Sequence, residues 1–206
     1  MKKILITGGG GFIGFHLAKK FLEKNYEVDL IDNFSRSFLD FDLKSLINNK
    51  NIKLIKSDLL KLNSKKFSSD YDKIFHLAAI IGVQHVKKNP YKVLTHNIQL
   101  LENVIKIAKK QKNLNKFIFF STSEVYSGTL RYHGLKIPTP ENTPLTIDNM
   151  NFSRTSYMAS KIYGELMCNM SKNLPYIIIR PHNFYGPRMG FSHVIPEIML
   201  KIFNSQ

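Results

Sequence analysis

The sequence predicts an α/β protein with a doubly wound parallel β-sheet, covered by helices on both faces. Short, almost continuously apolar runs alternate along the 206 residues with longer segments in which apolar residues recur every three or four positions. Strands that are buried on both faces lack polar alternation, and a helix provides the crossover between two parallel strands. The predicted strands span 4–7, 28–31, 52–56, 73–77, 117–121 and 176–180, and the predicted helices span 12–24, 92–112, 155–172 and 194–203.

The first strand ends in a glycine cluster. Lys3-Ile4-Leu5-Ile6-Thr7 leads into Gly8-Gly9-Gly10-Gly11-Phe12-Ile13-Gly14, where an amphipathic helical pattern begins. Glycines permit a tight turn and let backbone amides approach a pyrophosphate, which then lies at the positive end of the helix. The cluster fits G-x-G-x-x-G from Gly9 and G-x-x-G-x-x-G from Gly8. It therefore predicts a dinucleotide-binding unit of the Rossmann type.

The second strand carries an acidic residue, Asp32, at its carboxyl end. A carboxylate at this place accepts hydrogen bonds from the adenosine ribose hydroxyls and repels a 2′-phosphate. We therefore expect the cofactor to be NAD and not NADP.

Polar or small residues also end the next three strands, at the edge where ligands bind in open α/β sheets. Asp58 follows the third strand, where its carboxylate could accept a hydrogen bond from the adenine amino group or could cap the start of a helix. His76 ends the fourth strand before Leu77-Ala78-Ala79, and a lone histidine there is more often structural than catalytic. The fifth strand leads into Ser121-Thr122-Ser123-Glu124, and no helical pattern follows at once, which disfavours simple capping.

The helix at 155–172 places Tyr157 and Lys161 on one face, because they are four residues apart. A neighbouring ammonium favours the phenolate, which lowers the pKa of Tyr157 and makes it a usable general base. Residues 127–152, between this helix and the fifth strand, are rich in Gly and Pro and predict a long surface excursion of the kind that carries active-site loops.

Composition restricts the function classes. The net charge is +15, but the lysines are dispersed and no arginine-rich stripe, RNA-binding aromatic motif or zinc spacing accompanies them. We therefore expect no nucleic-acid partner and no metal site. No apolar run approaches the roughly 18 residues of a membrane span. A cytoplasmic location is expected, since no signal peptide opens the chain and the single cysteine, Cys168, cannot form an internal disulfide.

In combination these motifs resemble the extended short-chain dehydrogenases/reductases, in the NAD-dependent nucleotide-sugar epimerase/dehydratase family. The resemblance rests on 7–14, Asp32-Asn33, Asp58-Leu59, 76–79, Asn97, 121–126, Tyr157 with Lys161, and 180–188. It implies an enzyme of nucleotide-sugar metabolism, an isomerase or lyase, that oxidises a sugar transiently with bound NAD and then returns the hydride.

The resemblance also implies residue roles. Tyr157 would be the base, Lys161 would hold the nicotinamide ribose, and Thr122 would hydrogen-bond the reacting oxygen, with Glu124 completing the catalytic set. Ser123 and Asn183 would contact the substrate. The implied cofactor-binding residues are Gly8, Gly11, Phe12, Ile13, Gly14, Asp32, Asn33, Asp58, Leu59, Ala78, Ala79, Asn97, Tyr157, Lys161 and His182.

The type of reaction depends on Thr122-Ser123-Glu124. The 4,6-dehydratases place an aspartate at the position of Ser123 as the acid that expels water, so dehydration ranks third. The Thr-Ser-Glu form resembles UDP-glucuronate decarboxylases and some epimerases, and Arg154 has a counterpart in decarboxylase-like members. A 4-epimerase needs little beyond the base, the hydroxyl and room for the sugar to turn. We therefore expect a 4-epimerase of a UDP-linked sugar first, and a decarboxylase second.

The expected domains are an NAD-binding domain at 1–180, with 127–152 as its active-site excursion, and the start of a small, incomplete substrate-binding lobe at 181–206. Family members usually continue further, so the alternatives are a fragment of an enzyme and a non-catalytic NAD-binding protein. Family members also commonly pair through the helices equivalent to 92–112 and 155–172, which implies a homodimer. The apolar positions on the first of these helices equally suit an ordinary core; they are Leu100, Leu101, Val104, Ile105 and Ala108.

Overall fold

Six parallel strands form one sheet in the computed structural model, which describes residues 1–61, 67–68, 70–191 and 193–205. The strand order is β3-β2-β1-β4-β5-β6, and every neighbouring pair is parallel. The order reverses between β1 and β4, which opens a crevice at the carboxyl ends of these strands. The predicted Rossmann-type sheet is confirmed. The strands are β1 Lys3–Thr7, β2 Glu27–Asp32, β3 Ile52–Lys56, β4 Tyr71–His76, β5 Lys116–Phe120 and β6 Tyr176–Ile179.

The four predicted helices are present, with ends that shift by a few residues. They are α1 Phe12–Glu23, α4 Pro90–Lys109, α6 Thr155–Met170 and α7 Val194–Asn204. Sequence reasoning missed α2 Phe41–Ile47, α3 Val83–Lys88 and α5 Ser127–His133. Each of these has only six or seven residues, which is too short for a helical period to stand out.

Alternate side chains of the strands enter two different cores, one on each face of the sheet. Ile4 and Ile6 pack with α1 and α2, whereas Leu5 points to the opposite face, which α4 and α6 cover. On that second face the five apolar positions proposed for α4 are all buried. They belong to the core, so the interpretation of these residues as an ordinary core is the correct one.

The excursion at 127–152 is more ordered than predicted, because its first residues form α5. Its returning backbone packs closely on this helix: a side chain at Gly128 would place its Cβ 2.0 Å from the Thr146 oxygen. Thr129 fastens the contact, since its hydroxyl donates to the Pro144 oxygen at 2.8 Å and accepts from the Thr146 amide at 3.0 Å.

Helix α7 follows a turn after β6 and has no buried residue. Its apolar side chains, from Val194 to Phe203, are exposed to solvent. Among the helices in the described ranges, none has both the length and the apolar character needed to cross a bilayer.

Candidate active site

The glycine turn at 8–11 holds the start of α1 at the crevice. Gly8 adopts a left-handed φ of 69°, and a Cβ there would lie 3.0 Å from the Ala78 amide nitrogen. The amides of Gly8 and Gly9 both donate to the Ile31 oxygen, at 2.8 and 3.1 Å, which fixes the turn to β2. Gly11 precedes the helix and has no side chain with which to cap it. The first amides of α1 are therefore left for a ligand, at the positive end of the helix.

Asp32 lies beside this turn, as the sequence predicts, and its carboxylate is fixed by three donors. Oδ2 accepts from the Gly10 amide at 3.0 Å, and Oδ1 accepts from the Phe34 amide at 2.8 Å and the Ser37 hydroxyl at 2.9 Å. A carboxylate has about four acceptor sites, so one remains for a further donor. Asn33, the next residue, is exposed, and its Oδ1 accepts from the Ser35 amide at 3.0 Å.

Asp58 caps the short 3-10 helix Leu59–Lys61, because its Oδ1 accepts from the Leu60 amide at 2.9 Å. This is the structural alternative that the sequence left open. Leu59 is buried in the core, and the Asn103 side-chain amide donates to its backbone oxygen at 2.8 Å. The two residues stand at the carboxyl end of β3, one strand beyond Asp32.

Asn97 supports the loop after β4. Its Oδ1 accepts from the Ile80 amide at 2.7 Å, and its Nδ2 donates to the Ile80 oxygen at 3.1 Å and to the Ser160 hydroxyl at 3.3 Å. The amide thus ties α4 to α6 and fixes the backbone just after Ala78 and Ala79.

His76 has a structural role, the one that the sequence favoured. The Thr7 hydroxyl accepts from the amides of Leu77 and Ala78 at 3.1 and 3.2 Å, which leaves its proton for Nδ1 of His76 at 2.9 Å. Burial, aided by the charge of Lys161, lowers the pKa of His76 to about 3. The imidazole is therefore neutral and accepts a hydrogen bond at Nδ1.

We expect the free energy of unfolding of a His76→Gln variant to fall less at acidic pH than that of the wild type. The folded-state pKa of about 3 lies below the unfolded value near 6.5, so the unfolded state binds more protons between these values. Stability contributed by neutral His76 is complete above pH ~6.5 and falls as the pH falls, by ~2 kcal/mol between pH 7 and pH 5. Thermal unfolding followed by circular dichroism at both pH values measures this difference. An exposed-site control, His133→Gln, should keep the wild-type acid sensitivity; an equal loss in both variants would contradict the assignment.

Thr122, Tyr157 and Lys161 come together where β5 ends against α6. The Lys161 side chain is buried, its Nζ donates to the Phe120 oxygen at 2.7 Å, and it lies 5.8 Å from the centre of the Tyr157 ring. Thr122 begins the 3-10 helix Ser123–Tyr126, and its Oγ1 accepts from the Glu124 amide at 3.3 Å. The sequence disfavoured simple capping by these hydroxyls; the Thr122 hydroxyl nevertheless caps a helix, one that is too short to show a period.

The pKa of the Tyr157 phenol is raised, and not lowered as predicted. Burial is the main cause and the Glu124 carboxylate is the second, while the Thr122 hydroxyl and the Arg36 guanidinium oppose them. The predicted effect of Lys161 is wrong for this arrangement. Burial lowers the pKa of Lys161 itself to about 8, and its ammonium is directed to a backbone oxygen. Tyr157 thus rests in its protonated form.

A cavity of about 580 Å³ lies between the excursion and the start of α6, where charged side chains line it together with Thr155 and Met158. Glu124 and Arg154 form an ion pair at its mouth, at 3.2 Å, and Arg131 pairs with Asp148 at 2.8 Å. Lys87 adds a further cation to the lining. The cavity therefore suits a polar or anionic ligand.

Arg36 is a site residue that sequence reasoning missed. It belongs to the loop after β2, yet its Nη2 lies 3.7 Å from the Cβ position of Gly82 on the other side of the crevice. Its charge lowers the pKa of both Tyr157 and His193. No local pattern could identify it, because its contacts are with residues remote in sequence.

The turn after β6 lies across α1. Its Pro187 oxygen accepts a hydrogen bond from Nε2 of His16 at 2.9 Å. Arg188 donates to the Asp40 carboxylate at 2.7 Å, and its guanidinium lies 4.1 Å from the centre of the Phe15 ring. His182 and Asn183, in the same turn, are exposed. The amide of Ser123 donates to the Pro181 oxygen at 2.9 Å, so the turn also meets the Thr122 segment.

Comparisons with known proteins agree with this arrangement. The pattern of the NAD dependent epimerase/dehydratase family matches residues 4–206. A UDP-N-acetyl-alpha-D-glucosaminuronate decarboxylase of Bacillus cytotoxicus is 34% identical over 96% of this chain and 60% of its own length. An uncharacterized UDP-glucose epimerase of Bacillus subtilis is 34% identical over 95% of this chain and 62% of its own length.

A solved structure shares the fold as well. The UDP-glucuronic acid 4-epimerase of Bacillus cereus, in complex with UDP-glucuronic acid and NAD, superposes with a TM-score of 0.80 at 30% identity, over 99% of this chain and 64% of that one. The chain thus spans about three fifths of the length of the relatives it matches. The family pattern nevertheless covers nearly every residue, from the glycine turn to α7. The chain belongs to the NAD dependent epimerase/dehydratase family.

Proposed function

We propose that this chain binds NAD in the crevice between β1 and β4 and forms the redox half of a nucleotide-sugar 4-epimerase. One observation carries the proposal: the uncapped start of α1, the fixed carboxylate of Asp32 and the Thr122–Tyr157–Lys161 cluster share the carboxyl edge of one sheet. The residues present fit the cofactor, since the turn at 8–11 leaves backbone amides for a pyrophosphate and Asp32 has an acceptor site left for a ribose hydroxyl.

The first amides of α1, at Phe12 and Ile13, would hold the pyrophosphate, and Asp32 with Asn33 would hold the adenosine ribose. Asp58 and Leu59 would border the adenine, and Ala78 and Ala79 would let the cofactor lie against backbone. Lys161 would bind the nicotinamide ribose, with His182 nearby. When bound, NAD supplies a site that accepts hydride from the sugar and returns it.

Tyr157 would take the proton from the sugar hydroxyl at its Oη as the hydride leaves the same carbon. Only the phenolate can take this proton, and a raised pKa leaves little phenolate at neutral pH, so nearby cations must favour the phenolate during the reaction. Arg36 already acts in this direction. The Thr122 hydroxyl would hydrogen-bond the reacting oxygen and hold it at the base.

A second candidate reaction is decarboxylation of a nucleotide-linked uronic acid. The observation that favours it is the cavity at the start of α6, whose lining carries three cations. Arg154 and Arg131 pair there with Glu124 and Asp148, and Lys87 would meet a substrate carboxylate. The Bacillus cytotoxicus relative is such a decarboxylase. Dehydration ranks third, because Ser123 has no acidic proton with which to expel water.

Two measurements test the proposal. Isothermal titration of the 206-residue chain should show binding of NAD and weaker binding of NADP. NMR analysis of products should then show a C4 epimer with UDP-glucose or UDP-glucuronate; release of carbon dioxide from UDP-glucuronate would select the second candidate. Binding of NAD without turnover of either sugar would leave the non-catalytic alternative, and no binding would overturn the proposal.

We also propose that 1–180 acts as the NAD-binding domain and that 181–206 begins a substrate-binding lobe in a cytoplasmic homodimer. The single, buried Cys168 suits a reducing compartment. Helix α6 supports the pairing, since it exposes Tyr163, Leu166 and Met170, which are respectively 49%, 49% and 72% exposed. Sedimentation equilibrium should give twice the monomer mass of 23.8 kDa.

A further inference from the structure

A buried ion pair joins α6 to the end of β6 behind the catalytic cluster. The Glu165 carboxylate accepts from Nε and Nη2 of Arg180 at 2.9 and 2.6 Å, and from the Ser121 hydroxyl at 2.5 Å. The side chain of Glu165 is only 6% exposed and that of Arg180 is 20% exposed. Arg180 also bonds the Tyr126 hydroxyl, just before the excursion, and the Glu141 oxygen, within it.

Glu165 is tied to the catalytic residues at two points. Ser121, its hydroxyl partner, immediately precedes Thr122. Lys161 lies one helical turn before Glu165 on α6, where residues four apart are neighbours. Its ammonium donates to the oxygen of Phe120, the residue before Ser121. The two residues just before Thr122 are therefore held by α6: Phe120 by Lys161, and Ser121 by Glu165.

We propose that Glu165 is a positioning residue of this site: its carboxylate, fixed by Arg180 and Ser121, is the counter-charge of the buried Lys161 ammonium and holds the Thr122 segment against α6. This inference rests on the proposed function for its catalytic meaning. A buried ammonium loses its hydration and needs a compensating charge. Burial lowers the pKa of Lys161, and the Coulombic effects of Cys168 and Glu165 oppose this lowering.

The other titratable groups that face Lys161 have smaller or no charge. On α6 these are Tyr157, which rests protonated, and Cys168, whose thiol is neutral near pH 8 because burial raises its pKa to about 12. Strand β4 contributes His76, which is neutral, and β5 contributes the Phe119 ring, at 5.0 Å, and the Phe120 oxygen. Among these groups Glu165 is therefore the negative charge that acts on Lys161.

Titration of Lys161 in a Glu165→Gln variant tests the proposal. In protein labelled with ¹⁵N-lysine, the Nζ signal of Lys161, assigned by its loss in Lys161→Arg, should titrate near pH 8 in the wild type. In Glu165→Gln the midpoint should fall by about one pH unit, because an attractive charge is lost from a buried site. The pH above which NAD affinity declines should fall with it.

The matched control is Glu102→Gln on α4. Glu102 also pairs with a lysine four residues later, Lys106 at 2.7 Å, but both side chains are at least half exposed. This variant should leave the Lys161 midpoint unchanged. A midpoint that is also unchanged in folded Glu165→Gln would overturn the proposal.

A second variant covers the case in which Glu165→Gln does not fold. Replacing both partners, Glu165→Gln with Arg180→Met, removes the buried pair as a unit, which is often tolerated when the loss of one partner is not. Glu165, and not Arg180, acts on the Lys161 pKa, so the midpoint should still fall in this double variant. A wild-type chain that fails to bind NAD would overturn the proposed function, yet the Lys161 titration would still decide this inference.

Discussion

Tyr157→Phe should lower turnover of the sugar nucleotide by about 10²–10⁴-fold, the range that a positioned general base contributes. Phenylalanine keeps the ring but removes the Oη that would take the proton from the sugar hydroxyl. No other described residue of the cluster can replace it: His76 is a neutral imidazole whose Nδ1 is bonded to the Thr7 hydroxyl, and the Lys161 ammonium is directed to the Phe120 oxygen. The loss should appear in kcat, since the substrate contacts outside the phenol remain.

The control for this experiment lies on the same helix. Tyr163 is 49% exposed and takes no part in the cluster, so Tyr163→Phe should keep wild-type turnover. Binding of NAD, measured by isothermal titration, should be close to wild type in both variants. If Tyr157→Phe turned over the sugar nucleotide at a near-normal rate, the assigned base would be wrong.

The sheet could be predicted from the sequence because its strands are apolar on both faces and its ligand-binding residues follow strand ends. Asp32 and the glycine turn illustrate this, since both belong to local patterns with a physical reason for each residue type. The short helices α2, α3 and α5 could not be predicted, because six or seven residues contain less than two helical turns.

The electrostatics of the site were harder to predict than its position. Tyr157 and Lys161 share a helix face, but the sequence gives neither the depth of burial that raises the phenol pKa nor the backbone oxygen that engages the ammonium. Arg36 and Arg180 act through contacts with residues remote in sequence. Their roles depend on the packing of the loops after β2 and β6, and no local pattern encodes that packing.

Gly14→Ala should destabilise the protein and weaken NAD binding, although helix propensity alone predicts the opposite. Alanine inside a helix is favoured over glycine by about 1 kcal/mol. A Cβ at Gly14, however, would lie 2.5 Å from the Gly8 oxygen and 2.7 Å from the Gly9 Cα. Both are backbone atoms of the turn, and the amides of Gly8 and Gly9 are held by the Ile31 oxygen. Overpacking of this kind costs ~1–3 kcal/mol, which exceeds the gain in propensity.

The same clash should act on the ligand site, because the turn can relieve it only by moving away from α1. We expect the Kd for NAD to rise about tenfold or more, equivalent to ~1.4 kcal/mol. Gly190→Ala is the control, since among the described residues its Cβ would meet His193 at an ordinary 3.6 Å, and it should keep wild-type affinity. A Gly14→Ala variant that was more stable than wild type and bound NAD normally would mean that the turn can shift freely. The close approach of α1 to the glycine turn would then not be what fixes the pyrophosphate site.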